Sequence, residues 1–153
     1  MVNSRRKGAV GEREVAAYLR EHGFTEARRG QQFHGGSDSP DVVGMTGFHI
    51  EVKRVERLDL NAAMEQSIRD AAKNEIPVVF HRRDRDYWKV TMRLDDFMKV
   101  LSDTADAIEK LVAERKQLRD DLIRRICQHC DSRMELCEEC PIIQEVNGVF
   151  KED

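Results

Sequence analysis

Asp41, Glu51 and Lys53 are the residues whose types and spacing best fit a chemical reaction. Pro40-Asp41 is followed by nine residues and then by Glu51-Val52-Lys53. A pair of carboxylates can hold a hard divalent cation such as Mg2+, or Mn2+ in its place. The cation polarises a phosphoryl oxygen and stabilises the leaving oxyanion. A lysine beside the carboxylates can orient or help deprotonate the attacking water and offset charge on the phosphoryl oxygens. The chemistry this trio could perform is hydrolysis of a phosphodiester.

Two short strands must position the trio. Val42-Val43 and Phe48–Lys53 flank Gly44-Met45-Thr46-Gly47 and read as a hairpin. Side chains alternate along a strand, so Phe48, Ile50 and Val52 share one face while His49, Glu51 and Lys53 share the other. A three-residue loop Met45-Thr46-Gly47, with Gly47 left-handed, places Asp41 opposite Glu51. Opposed residues have Cβ atoms about 4.5–5.5 Å apart, close enough to share a metal. A two-residue turn at Thr46-Gly47 instead sends Asp41 to the core face. A solvated edge hairpin carrying a Glu–Lys surface pair fits the same residues, and the hairpin alone leaves both readings open.

Upstream, Arg6-Lys7-Gly8-Ala9-Val10-Gly11-Glu12-Arg13-Glu14 opens an amphipathic helix reaching about His22, with Val15, Ala16, Leu19 and Tyr18 as its apolar stripe and Gly23 as its stop. Glu12 and Glu14 point in different directions, so only one can serve the hairpin; Glu14 reads as a first-turn residue complementing the helix dipole. Lys7-Gly8, Glu12-Arg13-Glu14, His22-Gly23-Phe24, Pro40-Asp41 and Glu51-Val52-Lys53, in this order and spacing, resemble the archaeal-type Holliday junction resolvases of the PD-(D/E)xK nuclease superfamily. The resemblance covers roughly residues 5 to 100. It implies a restriction-endonuclease-like fold and a Mg2+-dependent endonuclease selective for branched DNA. Glu12 would be the helix-borne carboxylate of the metal site, Asp41 and Glu51 the main ligands, and Lys53 the catalytic lysine. Several families with this core place a helix-borne glutamine near the lysine, which nominates Gln66.

The remaining elements suit an α/β fold with a mixed central sheet and flanking helices. Residues 60–74 read as a helix with Ala63, Met64, Ile68 and Ala71-Ala72 available for its buried side. Ile76–His81 is a buried strand, 82–86 a charged turn, Tyr87–Met92 a returning strand and Leu94–Leu101 a short closing helix. The Gly-rich segment before Pro40 reads as a flexible surface loop; the resemblance to the resolvases, in which such a stretch approaches the DNA backbone, implies instead that Ser37 or Ser39 touches a phosphate, with His34 a phosphate contact or a surface residue.

A net charge of −3 at first argues against a nucleic-acid partner. It is unevenly divided: residues 1–100 carry 18 Lys+Arg against 16 Asp+Glu, a balance of +2, and residues 101–153 carry 8 against 13, a balance of −5. The basic clusters Arg5-Arg6-Lys7, Arg28-Arg29 and Arg82-Arg83 can track phosphates, and a bound metal reduces the negative field of the carboxylates.

Beyond the core at 1–101, Ser102 or Asp103 can cap a charged helix over 102–126. Leu101, Ile108, Leu111, Leu118 and Leu122 approach heptad spacing, either as a dimer seam or as an arm folded on the core; the resembled family acts as dimers. In the tail, 127–153, all four cysteines form one CxxC-x6-CxxC run: Cys127, Cys130, Cys137 and Cys140. Without a signal peptide or a membrane-length apolar segment, the expected setting is a reducing cytoplasm; the resolvase-like reading implies that of a bacterium or phage-infected host, with the gene phage- or prophage-borne. Paired CxxC spacing then argues for a structural Zn2+, with an iron–sulfur cluster as the alternative. Rival functions are an exonuclease or restriction-type endonuclease of the same superfamily, or a non-catalytic DNA-binding or assembly protein keeping the fold.

Overall fold

The computed structural model describes residues 4–30, 39–128 and 140–150, with side chains from residue 6 onward. In chain order the elements are α1 (Ser4–Glu21), β1 (Arg28–Arg29), β2 (Val42–Val43), β3 (Phe48–Arg54), α2 (Leu60–Asp70), β4 (Ile76–Arg82), β5 (Lys89–Thr91), α3 (Leu94–Cys127) and α4 (Pro141–Val149). They divide into two compact units, Met1–Phe97 and Met98–Asp153.

The first unit is a five-stranded sheet in the order β1-β2-β3-β4-β5. β3 and β4 are parallel and the other neighbours antiparallel, so the sheet is mixed as expected. β3 is therefore a central strand, which removes the edge-hairpin reading. Val15, Ala16 and Leu19 of α1 pack against Val42, Ile50 and Val52, all under 7 % exposed. Burying such side chains contributes about 1.5–3 kcal/mol each. Tyr18, expected in this stripe, is 54 % exposed and stacks on His22.

α2 covers the opposite face as the crossover between the parallel strands. The Asp59 side chain caps it by accepting the Ala62 N–H at 3.0 Å. It ends at Asp70 rather than near Asn74, because Ala71 turns to extended backbone. Its buried residues are Ala63 and Ser67, while Ile68 is exposed. Small side chains thus face the sheet, and Ser67 Oγ donates toward the His49 and Val78 carbonyls at 3.4 and 3.5 Å.

The hairpin takes the register that serves the carboxylates. Val42 pairs with Ile50, and Gly47 is left-handed at φ 85°. Gly30 closes the other side of β2: its N–H donates to the Asp41 carbonyl at 2.8 Å, and a Cβ there would lie 2.0 Å from the Pro40 carbonyl oxygen. Only glycine lets β1 approach Pro40-Asp41 this closely.

α3 corrects the expectation of two helices. Leu94–Leu101 and the segment after Ser102 are one continuous helix, whose sequence contains no glycine or proline to interrupt it. The unit boundary falls at Phe97/Met98, earlier than residue 101. Within the second unit Leu101, Ile108, Leu111, Leu118 and Leu122 are each at least 41 % exposed. α4 buries Ile143 and Val146, and Phe150 lies under the Arg115 guanidinium at 5.9 Å. Among the described residues no helix is long and apolar enough to cross a membrane.

Candidate active site

The backbone of β3 clasps Asp41 on both sides of Glu51. The Asp41 N–H donates to the Ile50 carbonyl at 2.9 Å, and Asp41 Oδ2 accepts the Val52 N–H at 2.8 Å. These two bonds hold Asp41 beside Glu51, which is only 5 % exposed. Placing two carboxylates together out of water disfavours their ionisation. The Asp41 carboxyl is accordingly pushed up to about 6, first by burial and next by the Glu51 charge, with Glu12 adding to the rise. The Val52 N–H and Lys53 oppose it without cancelling it.

Lys53 follows two residues after Glu51 and projects from the same face. Its Nζ donates to Glu51 Oε1 at 2.5 Å and to Gln66 Oε1 at 2.9 Å. Two of its three protons are thereby committed, and α2 acts as the second wall that aims the ammonium. The helix-borne glutamine and the lysine meet as the resemblance implied.

Glu12 is buried on α1, but its carboxylate accepts a hydrogen bond from Arg29 Nε instead of joining Asp41 and Glu51. Among the described residues no three metal-ligating side chains converge on one point. Asp41 and Glu51 are the pair that can hold a hard cation: their crowded, buried negative charge lacks a full counterweight, which suits Mg2+ or Mn2+.

The other glutamate of α1 has a role that the sequence did not reveal. α1 begins at Ser4, so Glu14 lies in its third turn and cannot complement the dipole as a first-turn residue. Its carboxylate accepts from Arg54 at 3.2 Å and Arg82 at 2.7 Å, joining α1 to β3 and β4. Arg82 also lies 4.9 Å over the Trp88 ring. It therefore acts as a brace, its head group held by Glu14 where a phosphate contact was expected.

The other basic residues are scattered. Arg6, Arg28 and Arg83 are exposed. Lys7 pairs with Asp84 at 3.0 Å in a half-exposed contact of the kind that contributes little. Arg29 holds Glu12. Ser39 is exposed, while the Arg5 side chain, His34, Ser37, Cys130 and Cys137 lie outside the described residues. Of the cysteines, Cys127 is exposed and Cys140 half-buried. His49 also went unforeseen: it is 1 % exposed, with Nδ1 3.5 Å from a Glu75 carboxylate oxygen. The strand–helix–strand order after Gly47, which calls for a crossover helix over one face of β3, was the signal that could have found it.

Residues 3–139 match the family described as phage putative PDDEXK endonuclease. The chain belongs to this family. As a phage PDDEXK endonuclease it is a nuclease with DNA as its substrate, and the superfamily read from the motifs stands. The match runs beyond residue 100, through α3 and across Cys127, Cys130 and Cys137, so the family is longer than the resolvase-like segment. The chain matches no curated protein and no solved structure.

Proposed function

We propose that this nuclease is a Mg2+-dependent endodeoxyribonuclease selective for branched DNA, four-way junctions above all. The observation that carries the reading is the joined set of Asp41, Glu51, Lys53 and Gln66, with the two carboxylates clasped by β3 and the lysine aimed from α2. Asp41 and Glu51 would hold the cation, which supplies charge for the phosphoryl oxygen and the leaving oxyanion. Lys53 orients the attacking water and offsets phosphoryl charge, and Gln66 fixes the direction of its ammonium. Glu12 sets the field at Asp41 from α1 and is the third metal-site carboxylate if Arg29 releases it to a DNA phosphate. An intact set of this kind disfavours the non-catalytic rival.

Junction selectivity rests on the order and spacing of the motifs shared with the resolvases. A homodimer is supported by the exposed row on α3, since two symmetric cuts need two active sites. Leu111→Asp should then leave a monomer by sedimentation, and unchanged assembly would count against that seam. The tail is proposed to bind one structural Zn2+ through Cys127, Cys130, Cys137 and Cys140, an assignment carried by the CxxC-x6-CxxC spacing. Elemental analysis of anaerobically purified protein separates zinc from the iron–sulfur alternative. The setting is the cytoplasm of a phage-bearing bacterium.

The deciding experiment incubates labelled four-way junction, flap, linear duplex and single strand with the protein in Mg2+ or EDTA. Cleavage of the junction in preference to linear duplex in Mg2+, lost in Asp41→Asn and Glu51→Gln, is the expected outcome. Equal cleavage of linear duplex would remove junction selectivity, and undiminished cleavage by either carboxamide variant would remove the site.

A further inference from the structure

The catalytic lysine begins a row that continues across the sheet. The parallel register aligns Lys53 with His81, and the antiparallel register aligns His81 with Lys89. Residues paired in this way project from one face, and neighbouring strands lie about 4.8 Å apart, so Lys53 and Lys89 are separated by about 10 Å at the backbone. His81 is held in the row by a 3.0 Å hydrogen bond between Nε2 and Thr91 Oγ1.

The row enters a cavity of about 380 Å3. Val55, Leu58 and Leu60 give it an apolar lining, and His81, Arg83 and Lys89 add nitrogen donors. Lys89 pairs with Asp86, which also lines the cavity, but their side chains are 52 % and 36 % exposed. Such an exposed pair contributes little, so a phosphate can displace the carboxylate at small cost. An apolar surface bordered by cations, one strand over from the catalytic lysine, matches a nucleotide rather than a free anion.

We propose that this cavity receives the nucleotide next to the scissile phosphate, with its base or sugar against Val55, Leu58 and Leu60 and its phosphate drawn by Arg83 and Lys89. The inference rests on the nuclease reading and adds a substrate requirement to it. A base inside a duplex must leave its stack to enter the cavity, whereas an unpaired base enters at less cost. The enzyme should therefore cut beside unpaired nucleotides, as occur at flaps and branch points.

The test uses the full chain and substrates in which a single abasic site is walked across the position of the cut. In the parent, the abasic site should lower kcat/KM by about tenfold at one flanking position only. Arg83→Ala and Lys89→Ala should raise KM and lessen the salt dependence of binding by about one phosphate each, with Lys73→Ala, an exposed residue outside the cavity, as the control. A second arm measures binding of a fluorescent single-stranded oligonucleotide in EDTA, where nothing is cut. Weaker binding by both cavity variants supports a nucleotide site in the cavity even if no DNA is cleaved, an outcome that would remove the nuclease reading and, with it, the placement beside a scissile phosphate. Binding by both variants equal to that of Lys73→Ala, or an abasic effect of one size at every position, overturns the cavity assignment.

Discussion

Asparagine at position 41 should make the metal-free protein more stable at neutral pH than the natural aspartate does. The Asp41 carboxyl is raised from 3.8 to about 6 by burial and by Glu51. The folded chain therefore holds this proton more tightly than the unfolded chain. Its contribution to stability is whole below 3.8 and is lost as the pH rises through about 6. At 1.36 kcal/mol per pH unit, the loss across that window is about 3 kcal/mol. Asparagine carries no charge at any pH, and its side-chain oxygen can still accept the Val52 N–H that Oδ2 accepts now. Urea unfolding in EDTA reads the difference. Relative to the parent, Asp41→Asn should gain about 3 kcal/mol between about pH 4 and about pH 7.5. Adding Mg2+ should then stabilise the parent and leave the variant nearly unmoved. A gap between the two proteins that stays constant with pH would refute the argument, because it would mean that Asp41 ionises without strain beside Glu51.

Lys53→Ala should lower kcat by about 10²–10⁴ with little change in DNA affinity, and Gln66→Ala by about tenfold, because the glutamine only directs the ammonium; single-turnover kinetics tests both, and a Gln66 effect larger than that of Lys53 would reverse the assigned roles. Glu14→Ala should cost about 1–3 kcal/mol in unfolding experiments, since it takes the carboxylate from the half-buried Arg82 and leaves Arg54 with Asp84 alone, yet leave affinity for DNA unchanged. Weakened DNA binding at unchanged stability would instead make Arg82 a phosphate contact. Gly30→Ala should abolish most cleavage, because its Cβ would stand 2.0 Å from the Pro40 carbonyl and must push Asp41 off its clasp; a fully active variant would show that the close approach is dispensable.

The hairpin was legible from sequence because it is local. Alternation fixes which side chains accompany Glu51, and the position of Gly47 selects the register that brings Asp41 beside it. What lay hidden came from distant segments. Nothing near Glu51 announces that β4 runs parallel beside β3 and that α2 roofs the face bearing His49 and Glu51. Glu14 was misread because it lies more than two turns inside the helix even from a start at Arg6, too deep to complement the dipole, and arginines from two strands reach it there. The stop at Ala71 and the continuity of α3 were lost for a related reason: propensity is permissive at both places, and tertiary context decides.

The two halves of the site differ in how far apart in sequence their residues lie. Asp41 and Glu51 meet within one hairpin, whereas Gln66 reaches Lys53 only on the crossover that leads to the parallel strand β4. Short loops close at less entropic cost than long ones, so the chain samples the hairpin before the crossover. The earliest contact of the sheet therefore forces like charges together before α2 has arrived with its roof. A divalent cation or a lowered pH present at that moment relieves the repulsion. Either should speed refolding as well as slow unfolding, so that a divalent cation held by this pair would also assist in building it.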